Sequence, residues 1–252
     1  MLGQKCPNSK HDKLMTSSAP HIYDAKTVSD LKDWGAQSDA IAGQSHSSGL
    51  LLYKGGDQQV ESGLWVCTPG SWRLNMPGDE LCFFHYGRAT YTEHNGETIE
   101  VTPGTVVHFP SGWSGRCDVH ETIRNTYMLV SGPATIDRGT TPVMRKPESI
   151  EASADWGPVP TMIEGKSLTS GRLLHKGPGG HNETGIWVCT PGFWNCHVTS
   201  DEYCHFIRGG CTYTHESGEV IEIRPDTVAF FPKDWKGTCR IHDTVRKVYM
   251  IR

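Results

Sequence analysis

Shifted by about 122 residues, this chain overlays itself without an insertion or deletion. Trp34-Gly35 falls on Trp156-Gly157, and GLWVCTPG from Gly63 falls on GIWVCTPG from Gly185. Glu80 meets Glu202, Gly87 meets Gly209, and Tyr91-Thr92 meets Tyr213-Thr214. Pro110 and Trp113 meet Pro232 and Trp235, and His120 and Tyr127 meet His242 and Tyr249. Nearly half of the aligned positions are identical, so the chain is a tandem duplication. The period is too long for a solenoid unit, and each copy must therefore bury its own core. The copies run over residues 29–130 and 151–252. Residues 131–150 are polar and carry three prolines, which marks a linker. Residues 1–28 stand outside the repeat and read as a partly disordered arm, with one short helix expected over Asp24–Trp34 and stopped by Gly35.

Inside each copy the pattern is all-β. Short runs rich in Val, Ile, Thr, Tyr and Phe alternate with turn signals. In the second copy the runs are Gly185–Thr190, Glu202–Ile207, Thr212–His215, Val220–Ile223, Thr227–Phe231 and Val245–Ile251. Asn95-Gly96 and Ser217-Gly218 read as hairpin turns. No stretch keeps a helical period over three turns. Many short strands at even spacing mean a sandwich or a barrel, and the 28 glycines and 15 prolines supply its turns.

Charge narrows the partners. Lys and Arg number 24 against 28 Asp and Glu, well mixed, which leaves no electrostatic footprint for nucleic acid. The longest apolar runs fall far short of the ~20 residues of a membrane helix. The beginning of the sequence has no apolar stretch of the secretory kind, so a cytoplasmic protein with reduced thiols is the expectation. Six of the nine cysteines are three duplicated positions, Cys67 with Cys189, Cys82 with Cys204 and Cys117 with Cys239. Cys6, Cys196 and Cys211 stand outside that pattern.

The residues around these strands resemble the cupin superfamily. Its first motif sets a glycine before an HxH pair, then a glutamate, then a closing glycine. The second copy reads Gly192-FWN-Cys196-His197-VTSD-Glu202-YCHFIR-Gly209. His197, Glu202 and Gly209 take motif positions, and Asn195 stands where the first histidine belongs. The second motif appears as Gly104-TVVHF-Pro110-S-Gly112-WS-Gly115 and as Asp226-TVAFF-Pro232-K-Asp234-WK-Gly237, with glycine in place of its histidine. WVCTPG, the Asp-Glu pair, PxGW and a closing RxxYM resemble in particular the ethanolamine-utilisation cupins and the cupin domain of (S)-ureidoglycine aminohydrolase. The resemblance implies an all-β bicupin, two tandem cupin-type jelly-roll barrels.

It also implies what each pocket can hold. A typical cupin binds one divalent transition metal (Mn, Fe, Ni or Zn) with three inward histidines and a glutamate. By that pattern the second copy offers His197 and Glu202 as metal ligands or as a catalytic acid–base pair, with Asn195 beside them and nothing at Gly237. The first copy offers Arg73, Asn75 and Glu80 to a ligand. An arginine directed into that pocket favours an anion over a metal. The aminohydrolase ligand set is not reproduced, since His197 alone keeps its residue type.

Strand alternation orders the remaining candidates. His205 lies three residues after Glu202 and so falls on the opposite face, whereas Cys82 and Cys204 share the face of their glutamates. Cys117 and Cys239 follow the vacant histidine positions by two. The cysteines read either as small core hydrophobes or as soft-metal or disulfide partners. His120 and His242 recur in both copies, which favours structure over chemistry.

Two functions follow. One is a small-molecule enzyme acting on a polar nitrogenous or carboxylated metabolite through a degenerate metal pocket in the second domain, with His197 and Glu202 catalytic. The other is a metal-free bicupin that binds or senses a small solute. Either has a small-molecule ligand and no nucleic-acid or membrane partner, and a homo-oligomer paired through exposed sheet edges is a further expectation.

Overall fold

The computed structural model describes residues 21–55, 57, 59–131, 142–150, 154–177 and 182–252. Every regular element among them is a β-strand, and no helix is long and apolar enough to cross a membrane. Strand β1 is His21–Asp24. The first repeat forms β2 (Lys32–Ala36), β3 (Ala40–Ala42), β4 (His46–Lys54), β5 (Val60–Cys67) and β6 (Gly70–Asn75). It continues as β7 (Gly78–Glu93), β8 (Thr98–Val101), β9 (Val106–Phe109) and β10 (Ser114–Ser131), and is followed by β11 (Val143–Arg145). The second repeat gives β12 (Ala154–Pro158), β13 (Met162–Glu164), β14 (Leu168–His175), β15 (Glu183–Cys189) and β16 (Gly192–His197). It ends with β17 (Glu202–Arg208), β18 (Cys211–His215), β19 (Val220–Ile223), β20 (Thr227–Phe231), β21 (Lys236–Ile241) and β22 (Val245–Ile251).

The chain divides into two compact units, Val28–Lys146 and Pro147–Arg252, and the described residues before Val28 group with the second. In the second unit a seven-stranded sheet, β1-β20-β17-β22-β15-β14-β12, packs with a five-stranded sheet, β13-β16-β21-β18-β19. In the first unit β7 and β10 run unbroken through both layers and join them into one ten-stranded sheet. The second copy has Gly210 where the first has Arg88, and there the long strand divides into β17 and β18. Gly87 and Gly209 at the same corner have φ of 84° and 80°, and a Cβ would lie 2.2 Å from Thr122 O and 2.3 Å from Thr244 O. No other residue turns this corner without moving the neighbouring strand.

The helix expected over Asp24–Trp34 does not form. Asp24 Oδ1 accepts hydrogen bonds from the amides of Lys26 (2.9 Å) and Thr27 (3.2 Å), a turn that competes with helix, and the chain re-enters a strand at Lys32. Gly35 is a bulge residue, its amide bonded to Asp33 Oδ1 at 2.7 Å with φ at 88°, where the β2–β4 register shifts. Strand β1 completes the sheet of the second unit, with His21 opposite Phe230 and Asp24 opposite Thr227. Strand β11, from the stretch read as linker, completes the first unit's sheet beside β9. The rest of the expected disorder and linker, residues 1–20 and 132–141, lies outside the described residues.

Each unit closes around an aromatic trio. Tyr91 meets Phe109 at a tilt with ring centroids 4.8 Å apart, and Phe109 meets Trp113 likewise at 5.2 Å. Tyr213, Phe231 and Trp235 repeat the arrangement at 4.8 and 5.3 Å. Burying each such ring contributes roughly 1.5–3 kcal/mol, and the tilted contacts add about 0.5–1.5 kcal/mol per pair. The cysteines at 67, 82 and 117 and at 189, 204 and 239 fill the space between the rings as free thiols.

Candidate functional site in the second barrel

Strand β16 decides which side chains enter the second barrel. Trp194 and Cys196 face the interior, whereas Asn195 and His197 are exposed. The His197 side chain keeps 49% of its surface, with Asp234 Oδ1 at 3.7 Å as its acidic neighbour. In the first unit Trp72 and Leu74 point inward on β6, and Arg73 and Asn75 are exposed. The expectation of an inward Asn195/His197 pair, and of Arg73 in the first pocket, is therefore corrected. The motif match was one residue out of step, and a one-residue slip sends every side chain of a strand to its other face. His197 is not brought to Glu202.

The third ligand position is closed. A Cβ on Gly237 would lie 2.1 Å from Thr214 O and 2.8 Å from the Trp235 ring, and Gly115 meets Thr92 O and Trp113 in the same way at 2.4 and 2.9 Å. The tryptophan ring occupies the volume that a histidine here would need. Gly237→His is expected to destabilise the protein by at least about 1–3 kcal/mol, the cost of overpacking, and to gain no metal. Thermal unfolding and metal content of the purified variant check both halves.

What fills the centre is an amine. Lys247 Nζ donates to Glu202 Oε1 at 2.6 Å and to Cys204 Sγ at 3.1 Å, and Cys204 Sγ lies 3.2 Å from the same carboxylate oxygen. The ammonium also sits 4.9 Å from the Trp187 ring centroid and 5.8 Å from that of Phe206. Burial pushes the Lys247 amine down, but Cys204 and Glu202 more than offset it, and the group stands above the ordinary lysine range. Burial and the Glu202 charge push the Cys204 thiol up, so it stays protonated. Lys247 keeps 9% of its side-chain surface and Glu202 17%, while Cys204, Phe206 and Val245 around them have none. Trp235 Nε1 is buried with no hydrogen-bond partner among the described residues.

The first barrel carries Asn125 where the second carries Lys247. Glu80 accepts a hydrogen bond from Cys82 Sγ at 2.9 Å, and burial raises its carboxyl from 4.5 to about 7, against the lowering effect of that bond. Asn125 Oδ1 and Trp113 Nε1 are buried without partners among the described residues. The two barrels thus share a glutamate–cysteine pair, and only the second supplies a cation.

His205, His120 and His242 lie outside this interior. His205 is on the opposite face of β17 from Glu202 and Cys204, wholly buried, with Asp226 Oδ1 3.9 Å away. Burial, then the charge of Lys26, pushes it down to about 3 and keeps it neutral. His120 and His242 make one repeated surface motif. Thr90 Oγ1 donates to Glu100 at 2.8 Å with His120 Nε2 at 2.7 Å, and Thr212 bonds Glu222 at 3.1 Å with His242 at 2.7 Å.

The donor set inside the second barrel does not fit the metal that the resemblance implies. Glu202 alone of the four usual ligands is present, and its oxygen is taken by an ammonium at 2.6 Å. Among the described residues no third His, Cys, Asp or Glu atom joins Glu202 and Cys204 within ligating reach.

Two tandem antiparallel barrels with an inward glutamate on the corresponding strand of each define a bicupin. The sequence profile of the EutQ-like cupin domain matches residues 54–127 and again 176–249, and the chain belongs to that family. In fold it is similar to a protein of unknown function from Pseudomonas syringae pv. tomato (TM-score 0.71, 14% identity, covering 92% of this chain and 99% of that one). It is also similar to the protein Ylba from E. coli (0.58, 9%, covering 98% and 95%). A third likeness is to a variant of oxalate decarboxylase from Bacillus subtilis (0.50, 11%, covering 97% and 79%). No curated protein matches the sequence significantly.

Proposed function

We propose that this bicupin binds a small metabolite in its second barrel without a metal, and that the Lys247–Glu202 pair recognises it. One observation carries the reading: an ammonium 2.6 Å from the inward glutamate, at the place where the metal of a typical cupin would sit. A charge pair offers a donor and an acceptor side by side. It complements a compound that has both a carboxylate or carbonyl oxygen and an N–H group, such as an amino acid, an amide or a ureido compound. The residual surface of the pair supports a solute there. Asn195, His197, Arg73 and Asn75 have no part in this recognition, and Glu80 offers the first barrel a carboxyl that changes charge near neutral pH.

Thermal unfolding in the presence of glycine, acetamide, urea and acetate, with and without EDTA, tests the reading. At least one of the nitrogenous probes is expected to raise Tm with and without chelator, to lose that effect in E202Q/K247M, and to keep it in H197A. Stoichiometric Mn, Fe, Ni or Zn in the second barrel, with ligand stabilisation abolished by EDTA or by H197A, overturns it.

A further inference from the structure

The same geometry points to a redox modification that does not depend on the ligand. We propose that Lys247 and Cys204 form a reversible covalent N–O–S cross-link under oxidation. Lys247 Nζ and Cys204 Sγ are 3.1 Å apart with no atom needing to move between them, and Glu202 Oε1 touches both, at 2.6 and 3.2 Å. A bridge of one oxygen spans nearly that distance, whereas a direct S–N bond would require the two atoms to close most of it. The interior position holds the pair in one arrangement, with Cys204 wholly buried and Lys247 at 9%.

The chemistry balances with hydrogen peroxide as the oxidant. One peroxide converts the Cys204 thiol to a sulfenic acid and releases water, with sulfur oxidised by two electrons. The Lys247 ammonium gives a proton to the Glu202 carboxylate, and a second peroxide converts the free amine to a hydroxylamine and water. The hydroxylamine O–H and the sulfenic S–OH then condense, forming the O–S bond and expelling a third water. The Glu202 proton returns to solvent. Four thiols restore the starting groups, giving the amine, the Cys204 thiol, one water and two disulfides. Burial keeps the thiol protonated, which slows its oxidation. The linked form loses the ammonium charge and blocks the centre of the barrel, which would make ligand recognition sensitive to peroxide.

The first barrel is an internal control. Cys82 sits 2.9 Å from Glu80, and the position that answers Lys247 is Asn125, so Cys82 can oxidise without this cross-link. The experiment is peptide mapping by mass spectrometry of the full chain after graded peroxide treatment. The expected product joins the Lys247 and Cys204 peptides with a gain of one oxygen less two hydrogens, disappears with dithiothreitol, and is absent from K247M, E202Q/K247M and C204S. A disulfide from Cys204 to another cysteine, sulfinic acid at Cys204 with Lys247 unmodified, or no change at Cys204 overturns the proposal. None of these outcomes bears on whether glycine, acetamide or urea stabilises the reduced protein, so the two readings fail separately.

Discussion

Lys247→Met is expected to cost the second barrel about 3–5 kcal/mol near pH 8, the usual penalty for leaving a buried charge without its partner. Glu202 then keeps its buried position with only Cys204 Sγ, 3.2 Å away, to meet it. The loss should shrink at pH 5, where an uncompensated buried carboxylate takes up a proton. E202Q/K247M removes both charges and should recover to within about 1 kcal/mol of the wild type, because two neutral groups of similar shape demand no ion pairing. Urea unfolding followed by tryptophan fluorescence measures this, with the two units fitted as separate transitions. If K247M matches the wild type at pH 8, the ion pair is not formed in the folded protein. If E202Q/K247M is as unstable as K247M, Lys247 acts through packing over Trp187 and not through charge.

The first barrel should respond to pH in the opposite way from an ordinary salt-bridged carboxylate. Glu80 has a folded value of about 7 against 4.5, so the folded state holds a proton that the unfolded chain releases. Stability is therefore highest below the unfolded value and falls as pH rises towards and through 7. At about 1.4 kcal/mol per unit, the loss between pH 4.5 and 8 approaches 3 kcal/mol, and the half-buried position of Glu80 reduces it through solvent screening. Glu80→Gln keeps an acceptor for Cys82 and carries no charge. It should equal the wild type near pH 5 and exceed it by about 2–3 kcal/mol at pH 8. A wild-type stability that rises with pH over this window, or an E80Q curve parallel to it, would contradict the assignment.

The strands were legible because their burial pattern is local. Val220–Ile223, Thr227–Phe231 and Val245–Ile251 begin and end where the residue types say they should, since runs of β-branched and aromatic residues bounded by turn residues are a local signal, whether the strand alternates, as the first does, or is buried along its length, as the other two are. Asp24–Trp34 was misread because Asp24 can cap a helix or close a turn with the same oxygen, and pairing of β1 with β20 selects the turn. The pocket residues went astray for a different reason. Asn195 and His197 fit a spacing rule, but Trp194 and Cys196 are the apolar pair, and burial follows the apolar pair.

Lys247 was visible and unread. In VRKVYMI it looks like a solvated charge, yet it differs from Asn125 in the other copy and stands two residues before the shared Tyr249, on the same face. Position by position, Lys247 answers Asn125 as His197 answers Asn75, and such a change inside an otherwise shared strand marks a residue with a role of its own. What makes the lysine tenable inside a barrel is Glu202, 45 positions away in the chain and one strand over, with β17 and β22 paired antiparallel.

By itself the sequence determined the duplication, the all-β class and the existence of several strands, because each depends on residues a short distance apart or on identity at a fixed offset. Only the tertiary structure decided which face of β16 enters the barrel and that Trp235 closes the place of a third histidine. It alone brought an amine, a carboxylate and a thiol within 2.6–3.2 Å of one another. Those outcomes depend on strand register and on volume shared between distant segments, and no local pattern encodes either.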